Sequence, residues 1–162
     1  QLSMVMGADL LTSLLGEGRR SRMVERLREQ LKIAETVDMD LTALEQGSLV
    51  TLEVCCMENQ LPAVEEAVNE QLRRLESDPV EPWELERALR LVGNSLRFAL
   101  ESTGQVAAMA ASQTLWGRQQ SLLKPLQQLE RWTADELRRE MFPRLQPEKA
   151  CTLIARPGSK QE

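Results

Sequence analysis

Histidine and tyrosine are absent from the 162 residues of this chain, and aromatic residues make up only 3% of it. The missing imidazole excludes most familiar hydrolytic chemistry. Zinc hydrolases take histidine ligands, and the helical HxxEH motif and its inverse each need two of them. Ser–His and Cys–His nucleophile pairs fail for want of the base. Cysteine is scarce as well, with only Cys55, Cys56 and Cys151. Neighbours on a strand face opposite sides, so Cys55 and Cys56 offer neither a disulfide framework nor a metal-ligand spacing. Reduced thiols are expected, Cys56 in the core and Cys55 on the other face, in a reducing compartment such as the cytoplasm.

Long apolar runs are also missing. Nothing approaches the about 20 residues that span a bilayer, and no signal peptide is visible. A net charge of −5 argues against nucleic acid or an anionic membrane as a partner. With 42% hydrophobic and 28% charged residues the composition is that of an ordinary globular protein. The length suits one domain over residues 1–157, with 158–162 as a tail. The chain opens on Gln1 rather than Met and enters a helical pattern at once, as a piece of a longer polypeptide would.

What is present is organised around Leu14 to Val37. A helix over Leu2 to Leu15 carries Val5, Met6, Leu10, Leu11, Leu14 and Leu15 on a face wide enough for more than one neighbour. Gly16 is expected as its left-handed C-cap. The loop GEGRRS resembles a phosphate cradle only in composition, since such loops follow a strand and this one follows a helix. Ser21 is expected as the N-cap of a second helix striped by Met23, Val24, Leu27 and Leu31. Arg19, Arg20, Arg22, Arg26 and Arg28 are interleaved with Glu17, Glu25 and Glu29, which predicts a solvated face with i,i+4 ion pairs.

From Ile33 the period becomes two. Ile33, Val37, Met39 and Leu41 share one face of a strand to Thr42, and Glu35 falls in phase with them. A bare carboxylate on a covered face is costly, so Glu35 must find a partner or a cavity. A second strand over Ser48 to Met57 alternates Val50, Leu52, Val54 and Cys56 against Leu49, Thr51, Glu53 and Cys55. Ala43 to Gly47 is a connection of hairpin length, with Gly47 at the tight turn.

The remainder is mostly helical. Asn59 is an N-cap candidate, and Leu61, Val64, Val68, Leu72 and Leu75 keep helical spacing to Asp78-Pro79. Pro82 starts a helix of about five turns. Further helices are expected over Val106 to Trp116, Leu122 to Leu129 and Thr133 to Phe142, with Gly117 as a stop and Thr133/Glu136 as a capping box. Ala150 to Ala155 is expected as a returning strand. The class is therefore α+β, a small, mainly antiparallel sheet with several helices packed on one face.

Leu15-Gly16-Glu17-Gly18, Ser21-Arg22-Met23 and Leu27-Arg28-Glu29, followed by Gly47, VEPWELERA (Val80 to Ala88) and TADEL (Thr133 to Leu137), resemble the pitrilysin or insulinase family of zinc metallopeptidases. That family includes mitochondrial processing peptidase and insulin-degrading enzyme. The likeness runs along nearly the whole chain and fits the family's non-zinc domain. It implies a further strand before the first helix, and hence an open sheet edge through which a homodimer could form. It also implies no cofactor in this chain, with zinc in a partner domain. The implied partners are a zinc-bearing peptidase half or subunit and a peptide substrate. The implied role is to line the substrate chamber and pair with the zinc-bearing half. A purely structural role, as in the core subunits of respiratory complexes that resemble processing peptidase, is the alternative.

The same resemblance implies substrate-binding positions. The loop at Gly16 and Gly18 lines the chamber in some members, and an R-x6-Y pair helps to hold the peptide and polarise its scissile carbonyl. Carried over, the arginine is Arg28 and the tyrosine position holds Glu35. The family's usual glycine before that segment is Lys32. An ionised carboxylate cannot donate to an oxyanion. A salt bridge between Arg28 and Glu35 is therefore expected, and the chain is not catalytic by itself.

Overall fold

The computed structural model describes residues 2–44, 47–156 and 158. Helix α1, Leu2–Gly16, is the central post. It packs against β1, α4, α6 and α7, and Met6, Leu10, Leu11, Leu14 and Leu15 are all buried on it. A helix surrounded in this way has apolar residues on most of its circumference, as its broad pattern foretold. Near its start Gly7 lets Trp132 lie flat against the backbone. A Cβ there would stand 2.4 Å from the indole, whose Nε1–H donates to the Ser3 carbonyl at 3.1 Å.

After a loop, α2 (Arg22–Val24) runs into a wider π-type turn at Glu25–Gln30. Met23, Val24 and Leu27 are buried, whereas Leu31 is exposed. Strands β1 (Thr36–Ala43) and β2 (Ser48–Cys55) form an antiparallel hairpin. Val37 faces Val54, Met39 faces Leu52 and Leu41 faces Val50, so the expected apolar phase is the one turned toward α1. The turn expected over Ala43 to Gly47 lies partly outside the described residues.

Then follow α3 (Leu61–Arg74), α4 (Pro82–Glu101), α5 (Thr103–Leu115), α6 (Lys124–Leu129) and α7 (Ala134–Glu140). Pro82 starts α4 in the first-turn position that needs no amide hydrogen bond. Gly117 stops α5 with φ of 62°, and Thr133 and Glu136 form the capping box of α7. The class is α+β, as expected.

Three local expectations are corrected and a fourth, Ser21, holds in part. Gly16 is the last residue of α1 rather than a left-handed cap, and its reason is space. A Cβ there would meet the Met39 Cβ at 2.3 Å. Asn59 lies inside a 3-10 turn, Glu58–Gln60, and caps no helix. Ser21 does hold the N-cap position of α2, its carbonyl accepting from the Glu25 amide at 2.8 Å, but its side chain makes no capping bond. Its hydroxyl donates back to the Gly18 carbonyl at 2.7 Å. Ala150 to Ala155 is not a strand. Among the described residues no backbone hydrogen bond ties Cys151 to Ala155 to either edge of the hairpin, and Leu153 is 91% exposed. An apolar run becomes a strand only where a neighbour takes up its polar backbone. The expected tail, apart from Gly158, lies outside the described residues.

Candidate functional site

The loop between α1 and α2 begins at Glu17, whose carboxylate accepts from the Ser13 hydroxyl at 2.6 Å. Gly18 takes φ of 79°, a region that costs a side-chain-bearing residue energy. The Ser21 amide closes the loop onto the Gly18 carbonyl at 3.0 Å. Of Gly16 and Gly18, only Gly18 therefore serves through its dihedral angle. Gly16 serves by letting β1 come close.

The arginines of this region do not draw their partners from the interleaved glutamates four residues away. Arg22 makes a forked pair with Glu84 at the start of α4, both bonds at 2.7 Å, and adds a bond to the Pro79 carbonyl at 2.6 Å. Both side chains are nearly covered, at 15% and 6% exposure. Burial alone would raise the Glu84 carboxyl. Hydrogen bonds from Arg22 and from the Glu81 amide, and the charges of Arg22 and Arg87, outweigh burial and hold it below the ordinary range. Arg87, one turn on, donates to the carbonyls of Ser13, Leu14 and Glu17 at the end of α1. The Ser13 carbonyl also accepts from the Glu17 amide at 3.1 Å, and a cation at this end of α1 meets the negative end of the dipole. Burial lowers the Arg87 pKa, and the charges of Glu17 and Glu84 offset this only in part. Arg20 stacks over Trp83 at 4.5 Å. Arg19 forks onto Glu29, and that hydrogen bonding holds the Glu29 carboxyl below its usual value. Arg26 reaches Glu70 on α3 at 3.3 Å.

Arg28 and Glu35 do not pair. Arg28 is half exposed, and its nearest carboxylate is Glu29 at 4.0 Å. Glu35 is exposed, its nearest side-chain partner the Cys55 thiol at 3.9 Å. The Glu35 amide still bonds the Cys55 carbonyl at 2.8 Å, but its side chain is exposed at the bend before β1 while Ile33, Ala34 and Val37 around it pack on the core. Between the two residues, Lys32 sits at φ of 55°, the one non-glycine with positive φ among the described residues. The family pattern's glycine at this place has a plain physical reason. The turn is left-handed.

Sequence reading missed Glu84 and Arg87. One signal was available for Glu84, a carboxylate four residues before the buried Ala88 on the same helical phase. Among the described residues no three Cys, Asp or Glu side chains gather as a metal donor set. With no histidine in the sequence either, the residues present do not fit a zinc site.

Residues 5–92, more than half of the chain, match the family model described as the peptidase M16 inactive domain. Over 114 residues the chain is 27% identical to the uncharacterized zinc protease YmxG of Bacillus subtilis (strain 168), an alignment covering 70% of this chain and 28% of that protein. Its fold matches a protease from Helicobacter pylori with TM-score 0.70 at 23% identity, over 83% of this chain and 33% of that one. It also matches a peptidase M16 inactive domain from Pseudomonas fluorescens with TM-score 0.66 at 18% identity, over 86% and 34% respectively. The chain thus spans about a third or less of the length of these relatives.

Proposed function

Because the chain belongs to the peptidase M16 inactive-domain family, we propose that it is the non-catalytic part of a zinc peptidase, lining the peptide chamber and pairing with the zinc-bearing half. Zinc is held by that half. This domain supplies peptide contacts. The observation that carries the reading is the state of Arg28. Its guanidinium is half exposed and only loosely approached by Glu29, which leaves its donors for a peptide carbonyl or carboxylate. Glu35, exposed beside the end of β2, stands where an ionised carboxylate could meet a peptide amide or a basic side chain.

Pairing draws support from α5. From Ser102 to Gly117 the sequence contains no charged residue, yet α5 buries none of its side chains within the domain. Phe98, Leu115 and Trp116 are exposed beside it. An uncharged apolar surface of this kind is characteristic of a covered interface. The same surface would serve a purely structural subunit, so activity must separate the two readings. A reducing, cytoplasmic setting belongs to the same proposal, supported by the three free thiols. No helix among the described residues is long and apolar enough to cross a membrane.

The test is Arg28→Ala in the assembled peptidase. A lost charge-assisted contact to substrate should raise KM by roughly tenfold while kcat changes little. Unchanged KM would show that Arg28 does not meet the peptide and would favour the structural subunit.

A further inference from the structure

We infer that Glu84 and Arg87 are positioning residues, which hold the 17–21 loop in the conformation it presents to the peptide chamber. The inference rests on the chamber reading above. Both residues project from the first turns of α4 toward the two ends of the same loop. Arg87 ties down the outgoing end of α1 through the carbonyls of Ser13, Leu14 and Glu17. Glu84 ties down the incoming end of α2 through its fork with Arg22. Trp83 completes the face by taking Arg20 against its ring at 4.5 Å. Between these anchors Gly18 stands with φ of 79°, and the nearest atom to a Cβ there would be an Arg87 nitrogen at 3.7 Å.

The chemistry of the clasp favours a positioning role over simple cover. An apolar side chain would shield the end of α1 without the expense of burying guanidinium and carboxylate groups, and buried ion pairs are often replaceable by apolar residues at no loss of stability. The Nε of Arg87 is buried with no hydrogen-bond partner among the described residues. Directional bonds to the carbonyls of Ser13, Leu14 and Glu17 fix a geometry in a way that apolar packing does not. The loop is short and contains a glycine with free φ, so without these bonds it would have several conformations available. With them both of its ends are tied to α4. Arg19, 79% exposed, is then displayed from a fixed platform.

The experiment compares Arg87→Met, Arg87→Lys and Glu84→Gln in the complete peptidase, reading amide hydrogen exchange at Gly18 to Ser21 and steady-state kinetics. Arg87→Met keeps bulk and removes the donors. It should speed exchange in the loop by at least about tenfold and raise KM roughly tenfold with kcat within about twofold. Arg87→Lys, with one compact ammonium, should fall between. Glu84→Gln is near-isosteric and should show the same pattern more mildly, which keeps the test intact if Arg87→Met fails to fold. Unchanged loop exchange in folded Arg87 and Glu84 variants overturns the inference. Faster exchange with unchanged KM, while Arg28→Ala still raises KM, overturns it and leaves the chamber reading standing. Unchanged KM in all of these variants overturns both.

Discussion

Replacing Asp9 by Asn should stabilise the domain, and only above mildly acidic pH. Asp9 lies midway along α1, and its carboxylate has no hydrogen-bond or ion-pair partner among the described residues. Burial pushes its pKa from 3.8 up to about 6. A carboxyl whose pKa rises on folding favours the folded state below its unfolded value, and that advantage is lost as pH rises toward the folded value. For Asp9 the loss runs between 3.8 and about 6. At 1.36 kcal/mol per pH unit this displacement amounts to about 3 kcal/mol at neutral pH. That figure is a ceiling, because the carboxylate retains some access to water and the asparagine amide also wants a partner. A net gain of about 1–2 kcal/mol at pH 8 is expected, worth roughly 2–8 °C in Tm for a domain of this size. At pH 4.5 the gain should fall by more than half. Urea unfolding of the two proteins across this range provides the comparison. A neutral or destabilising Asp9→Asn at pH 8, or a gain equal at both pH values, would refute the argument that an unpaired charge is desolvated there.

Three further outcomes follow from backbone geometry. Lys32→Gly should stabilise by roughly 0.5–1 kcal/mol, since left-handed φ strains lysine and not glycine; a loss of stability in urea unfolding would contradict this. Gly16→Ala should cost about 2–3 kcal/mol, because its Cβ would stand 2.3 Å from the Met39 Cβ and β1 would have to move away; a variant with unchanged midpoint would mean that the hairpin yields without cost. The isolated chain should self-associate through an open edge of β1 or β2, as unpaired strand edges invite; a strictly monomeric species by light scattering at high concentration would count against edge pairing.

Helix limits and strand phase were legible because their causes are local. Pro82, Gly117 and the Thr133/Glu136 box mark boundaries within a turn or two, and the apolar alternation set the face that meets α1. The candidate site was legible only in part. The motif singles out Arg28 and Gly18 as candidates, yet the role of Gly16 depends on Met39, on the next strand and invisible to any local pattern. The Arg22–Glu84 fork joins residues 62 positions apart, whereas the sequence offers Glu25 and Glu29 close by as plausible decoys. Periodicity put Glu35 in phase with Val37, but Glu35 is an exposed bend residue just before β1, where an alternation pattern no longer assigns faces. Likewise Ala150 to Ala155 read as a strand: composition reports a capacity to pair, and pairing needs an edge within reach.

The central claim is that this domain contributes to peptide hydrolysis without performing it. The most direct measurement is peptide hydrolysis by the zinc-bearing half alone, by this chain alone and by the two together. The account predicts no turnover by this chain, weak turnover by the zinc-bearing half, and a large gain on mixing that is lost with a chelator. Cleavage by this chain alone, or full activity of the zinc-bearing half without it, would contradict the account.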